Sequence, residues 1–113
     1  MARRDKLQGS LDLLILRTLR GEPLHGYGIT AQIQAWSEGE LEVEEGSLYP
    51  ALHRLERDEL LTAEWRETEA GRRAKYYKLT RKGRAHLEAQ AASWERLTGA
   101  VAAILNTAKA ETP

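Results

Sequence analysis

Arg72, Arg73 and Lys75 crowd the exit of a Glu69-Ala70-Gly71 turn, and upstream Ser47, His53 and Arg54 fall between leucines at helical spacing. Neither set has the spacing of a catalytic or metal-binding group. The three histidines, His25, His53 and His86, form no H-E-x-x-H pair, and no G-x-S-x-G elbow is present. Gly26 and Gly28 lack the preceding strand that a dinucleotide loop requires. Cations on a turn and polar side chains on a helix can instead neutralise phosphates and read base edges. The expectation is a protein that is not an enzyme and carries no cofactor and no metal, with double-stranded DNA as its partner.

The elements that must hold these residues are legible in the pattern. In residues 46–60, GSLYPALHRLERDEL, the leucines Leu48, Leu52 and Leu55 share one buried stripe. Ser47, Pro50, His53, Arg54 and Arg57 are left on or beside the opposite face. After Leu60 the period changes to two. Leu61, Ala63 and Trp65 alternate with Thr62, Glu64 and Arg66, and Lys75, Tyr77 and Leu79 alternate with Tyr76 and Lys78. The result reads as a recognition helix followed by a basic β-hairpin wing. Tyr49 and Pro50 fall in the first turns of the helix, where proline is tolerated; Tyr49 either reads DNA or packs against the preceding helix. Arg54 either contacts guanine or pairs with Asp58 at i+4. His25 reads as an N-cap or turn residue.

Composition sets bounds on this reading. With 113 residues and 42% hydrophobic content the chain can bury one modest core. Cysteine is absent, which excludes disulfides and thiolate metal sites and agrees with a reducing, cytoplasmic setting. No apolar run approaches membrane-spanning length, and the basic start MARRDKLQGS has no apolar stretch behind it. The formal net charge is zero, but residues 71–84 hold seven basic side chains and no acidic one, whereas residues 38–45 hold five glutamates and no base. Phosphate attraction follows the local patch.

Three further helices complete the pattern. One spans about residues 10–20, with Leu11, Leu14, Ile15, Thr18 and Leu19 as its stripe, Ser10 as N-cap, Gly21 as its stop, and Leu13 and Leu16 widening the apolar surface. A second spans about 26–36 with Ile29, Ile33 and Trp36 inward, and Gly26 and Gly28 suggest a close backbone approach near its start. Trp36 and Trp65 are both expected in the domain core. Leu41 and Val43 alternate with glutamates as a short strand that would pair with the wing. The last helix spans about 81–107, with Leu87, Ala91, Trp94, Thr98, Val101 and Leu105 repeating at alternating spacings of four and three, broadened by Leu97 and Ile104. A seam on a terminal helix calls for the same helix of a second subunit. Residues 108–113 read as a frayed end.

The stretches GSLDLLILRTL from Gly9, PLHGYGI from Pro23, GSLYPALHRLE from Gly46 and GRRAKYYKLTRKG from Gly71 resemble the PadR family of transcriptional regulators in sequence and order. The last helix matches in length and in the position of Trp94. The resemblance implies a mainly α fold with a small β-hairpin: a winged helix-turn-helix DNA-binding domain over residues 1–80 and a C-terminal dimerisation helix over residues 81–113. It further implies a homodimeric repressor on a palindromic operator, released by a small molecule. Tyr27 is similar to a family tyrosine at the protein–DNA junction, with a place in the core as the alternative. Trp94, in the seam, either fills the interface or sandwiches a small aromatic effector, as multidrug-binding members of the family imply. Glu44 and Glu45 stand where the family often has Ser-Pro, and their carboxylates would repel a phosphate at the same helix end. Two other readings stay open. One is a winged-helix protein-interaction module, and the other a dimeric DNA-binding regulator without an effector.

Overall fold

Helix α1 (Ala2–Thr18) opens the fold in the computed structural model, which describes residues 2–107, with side chains from residue 10 onward. The order continues as β1 (Leu24–His25), α2 (Gly26–Trp36), α3 (Glu45–Arg57), β2 (Leu61–Glu67), β3 (Arg73–Leu79) and α4 (Arg81–Leu105). The architecture is mainly helical with one small antiparallel sheet of order β1-β3-β2.

Ser10 lies inside α1 and does not cap it. The preceding residues are mostly good helix formers, so the helix continues past the local cap signal. It ends at Thr18, whose hydroxyl donates to the Ile15 carbonyl at 2.8 Å, rather than running on to Arg20. Ile15, Leu16 and Leu19 are buried and meet Ile29 and Ile33 of α2, Leu48, Ala51, Leu52 and Leu55 of α3, and Leu61, Tyr77 and Leu79 of the sheet in one core. Burial raises the Tyr77 phenol above the ordinary tyrosine value, because the ionised form would lose its hydration.

The start of α2 is set by His25, whose Nδ1 accepts the Gly28 amide at 3.0 Å, as its reading as a cap requires. Trp36 ends the helix and is 55% exposed, with the Arg17 guanidinium 5.0 Å from its ring centre. The core placement expected for it is therefore corrected: the ring lies at the surface, with Arg17 of α1 over it. Trp65 is likewise outside the core, at 59% exposure.

Residues 41–44 form no strand. Both edges of β3 are already taken, by β2 along its length and by β1 through Leu24↔Tyr77 and His25↔Tyr76. The acidic stretch instead runs extended into α3, with Val43 leaning on the core and Glu44 as an N-cap whose side chain makes no cap bond.

Thr80 caps α4 by accepting the Gly83 amide at 2.8 Å, and Gly83 and Leu87 are the buried residues of that helix. Leu87, assigned above to the intersubunit seam, is thus a core residue of its own chain. From Trp94 onward the apolar side chains of α4 are exposed. Residues 108–113, expected to fray, lie outside the described residues.

Candidate nucleic-acid interface

Three elements converge on one open groove of about 850 Å³ between the wing and the outer side of α3. The start of α2 contributes His25, Gly26 and Tyr27; α3 contributes Tyr49 and His53; the hairpin contributes Trp65, Arg72, Arg73, Lys75, Tyr76 and Tyr77, with the turn residues between. The wing holds its shape through the β2–β3 register, from Leu61↔Leu79 to Glu67↔Arg73. At its tip Gly71 takes φ +84°, a left-handed conformation that glycine adopts without strain. The Thr68 amide donates to the Arg72 carbonyl at 2.6 Å and the Gly71 amide to the Thr68 carbonyl at 2.9 Å, which closes the turn.

The groove gathers Tyr27, Tyr49, His53, Arg72, Arg73 and Lys75 from the expected set. Tyr27 is 78% exposed, so its alternative place in the core does not apply. Tyr49 is anchored against the start of α2: a Cβ on Gly26 would stand 2.5 Å from the Tyr49 hydroxyl oxygen. That is the close approach anticipated from Gly26. Ser47 and Pro50 are exposed on α3 but lie outside the groove lining. Pro50, in the second turn, deprives the Gly46 carbonyl of its usual helical donor.

Two cations are committed elsewhere. Arg54 pairs with Asp12 of α1, so it is turned toward the flank of α3 that packs on α1; neither the free outer position nor the Asp58 pairing holds. Asp58 lies instead 3.9 Å from Arg57. Lys75 Nζ meets Glu56 Oε1 at 3.2 Å and sits 5.5 Å from the Tyr77 ring centre. It ties the wing to α3 and, unlike Arg72 and Arg73, is not an exposed wing charge. Both ion pairs link residues distant in sequence and leave no local trace. Trp65 and Tyr76 were missed as groove residues, although strand alternation had placed Trp65 on the side of Leu61 and Ala63. At the start of α3, Glu44 and Glu45 are exposed. Their charge favours the helix dipole and opposes a phosphate there.

The sequence pattern of the transcriptional regulator PadR-like family matches residues 15–89. The transcriptional regulator Rv3488 of Mycobacterium tuberculosis is 35% identical over 94 residues, covering 83% of this chain and 84% of that protein. A PadR-like transcription factor of Bacteroides fragilis, known by X-ray structure, is 39% identical with a TM-score of 0.74, over 91% of this chain and 97% of that one. A PadR-like transcriptional regulator of Bacillus cereus superposes with a TM-score of 0.77 at 29% identity, over 90% of this chain and 97% of that one.

Proposed function

The chain belongs to the PadR-like family of transcriptional regulators, and from that membership we propose that it is a homodimeric repressor that binds a palindromic operator and is released by a small aromatic effector. One observation carries the DNA reading: the outer side of α3 and the exposed cations Arg72 and Arg73 face a single groove that no other described residue fills. The family is one of regulators rather than enzymes. Among the described residues no helix is long and apolar enough to cross a membrane. In this reading residues 1–80 form the DNA-binding unit. Residues 81–113 supply the dimerisation helix, whose seam runs through Ala91, Trp94, Thr98, Val101 and Leu105, while Gly83 and Leu87 near its start pack into the core.

Wing and helix are expected to contribute differently. Arg72→Ala and Arg73→Ala should weaken binding to all duplexes alike and flatten the log–log salt dependence by about 0.9 for each phosphate no longer neutralised. His53→Ala should instead reduce discrimination between an operator, selected from a random duplex library, and its point variants, by roughly 1 kcal/mol. Arg54→Ala strips Asp12 of its partner and acts on the α1–α3 packing, not on base preference. Wing substitutions that change sequence preference, with His53→Ala changing only the salt slope, would show the roles to be reversed.

The effector reading rests on Trp94, an exposed ring in the apolar stripe of α4. Two such rings across a dimer axis make a flat slot, and a planar ligand in it would respace recognition helices that must fit half-sites about 34–36 Å apart. A ligand that lowers operator affinity must bind the DNA-free dimer more tightly by the same factor. Titration with planar aromatic cations should change tryptophan emission and release the operator in wild type, and Trp94→Ala should abolish the release. Equal release from Trp94→Ala would put the effector elsewhere. A dimer that binds none of a broad panel would favour a regulator without effector.

A further inference from the structure

Trp65 is exposed although it stands on the core side of its strand. The register places it opposite Lys75, on the same side of the sheet as the Leu61↔Leu79 and Ala63↔Tyr77 pairs. Along β2 that side passes from Leu61, which is buried, through Ala63, which is partly buried, to Trp65, at 59% exposure. The core face of the sheet therefore runs out from under α3 and continues as a wall of the groove. An indole left in water forgoes much of the stabilisation that burial gives a large apolar side chain. No residue of α4 reaches the groove to cover it.

Its neighbours give the ring a context. All four tyrosines of the chain line the same groove, and the Arg73 guanidinium lies 5.7 Å from the Trp65 ring centre. Cations meet phosphate oxygens. A flat indole beside them suits what lies between phosphates, the deoxyribose rings and the apolar edges of bases such as the thymine methyl group. On the DNA reading proposed above, we infer that Trp65 is a DNA-contact residue, its ring packing on the sugar and base edges of the strand that passes between wing and α3 while Arg73 takes the adjacent phosphate.

This separates two kinds of contact by their salt dependence. Removing a cation from a phosphate changes the slope of affinity against salt, whereas removing an apolar surface lowers affinity by the same factor at every salt concentration. The probe is a duplex of about 30 base pairs, long enough for two half-sites a turn apart. Trp65→Ala is expected to weaken binding on the order of tenfold at each salt concentration with the slope unchanged. Trp65→Phe should recover most of the affinity, since it keeps a ring. Tryptophan emission should change on DNA addition in wild type and much less in Trp65→Phe. Trp36→Ala removes an equally exposed ring outside the groove and should bind as wild type does.

Wild-type affinity in Trp65→Ala would overturn the assignment. So would a slope flattened by about 0.9, which would mean the ring acts only by orienting Arg73. A drop of the same size in Trp36→Ala would trace the effect to the fold. If the wild-type chain bound no duplex at any salt concentration, the underlying DNA reading would fail as well, and that result is distinct from every failure of Trp65 alone.

Discussion

Replacing Val101 and Leu105 together by glutamate is expected to convert the proposed dimer to monomers and to weaken operator binding by about 10²–10⁴-fold. The reason lies in how α4 is used along its length. Its 25 residues span about 37 Å, and its buried residues are Gly83 and Leu87, both near its start. Beyond Ala91, Trp94, Leu97, Val101, Ile104 and Leu105 are between 44% and 73% exposed. The chain extends 65 Å in one direction and 29 and 28 Å in the others, so this stretch has little of its own domain to lie against. A contiguous stripe of large apolar side chains marks an interaction surface, and spacings of three and four suit a helix from a second copy. Glutamates at the two positions would place charges in a seam that offers them no partners, at a cost of several kcal/mol per buried ion. Both subunits carry the change. A monomer would hold one half-site at a time and lose the gain in effective concentration that the second half-site provides. Light scattering gives the mass and a duplex titration gives the affinity. A double mutant that stays dimeric would sink the proposed seam.

The sequence exposed most of the positioning elements because each has a local signal. Leu48, Leu52 and Leu55 mark the inner face of α3, and the change to alternation after Leu60, with Gly71 at the turn, marks the wing. His25 is readable as a cap or turn residue because it stands just ahead of α2 with no partner ligands in the sequence for a metal or catalytic role. What stayed hidden depends on partners distant in sequence. A strand of two residues, Leu24 and His25, shows no periodicity, and it took the β3 edge that the alternation of Leu41 and Val43 seemed to claim. The Arg54–Asp12 and Lys75–Glu56 pairs join separate elements, so Lys75 read as a free wing charge and Arg54 as a base reader or a partner of Asp58 on its own helix. Trp36 and Trp65 follow the inward pattern of their elements but lie toward the ends of those elements, where the rings are exposed. Periodicity assigns a side of an element; it does not say how far along that side the neighbour reaches.

Gly83→Ala is expected to destabilise the fold by about 3 kcal/mol, near the upper end of what overpacking costs, although alanine is the better helix former by about 1 kcal/mol. The position closes the GRRAKYYKLTRKG stretch, and its reason is steric. A Cβ at Gly83 would stand 2.1 Å from the Leu60 carbonyl oxygen, 3.0 Å from the Leu60 carbonyl carbon and 2.9 Å from Leu79 Cδ1. The carbonyl cannot easily withdraw, because it accepts from the Thr80 amide at 3.1 Å and from the Thr80 hydroxyl at 3.0 Å. Thr80 is in turn the cap of α4. Relief of the clash therefore means moving the start of α4 off the corner where α3 leads into β2, at the expense of the cap, itself worth about 1 kcal/mol, and of the packing of Leu87. A loss of this size should lower the melting temperature by more than about 10 °C in a chain of this length. Gly99→Ala is the internal comparison, since a Cβ there meets nothing within 4 Å and the same helix should gain stability from the substitution. Thermal unfolding of both variants decides the matter: a Gly83→Ala protein that melts with wild type, or with Gly99→Ala, would mean that the corner between Leu60 and α4 yields freely and that the glycine is not there to admit the Leu60 carbonyl.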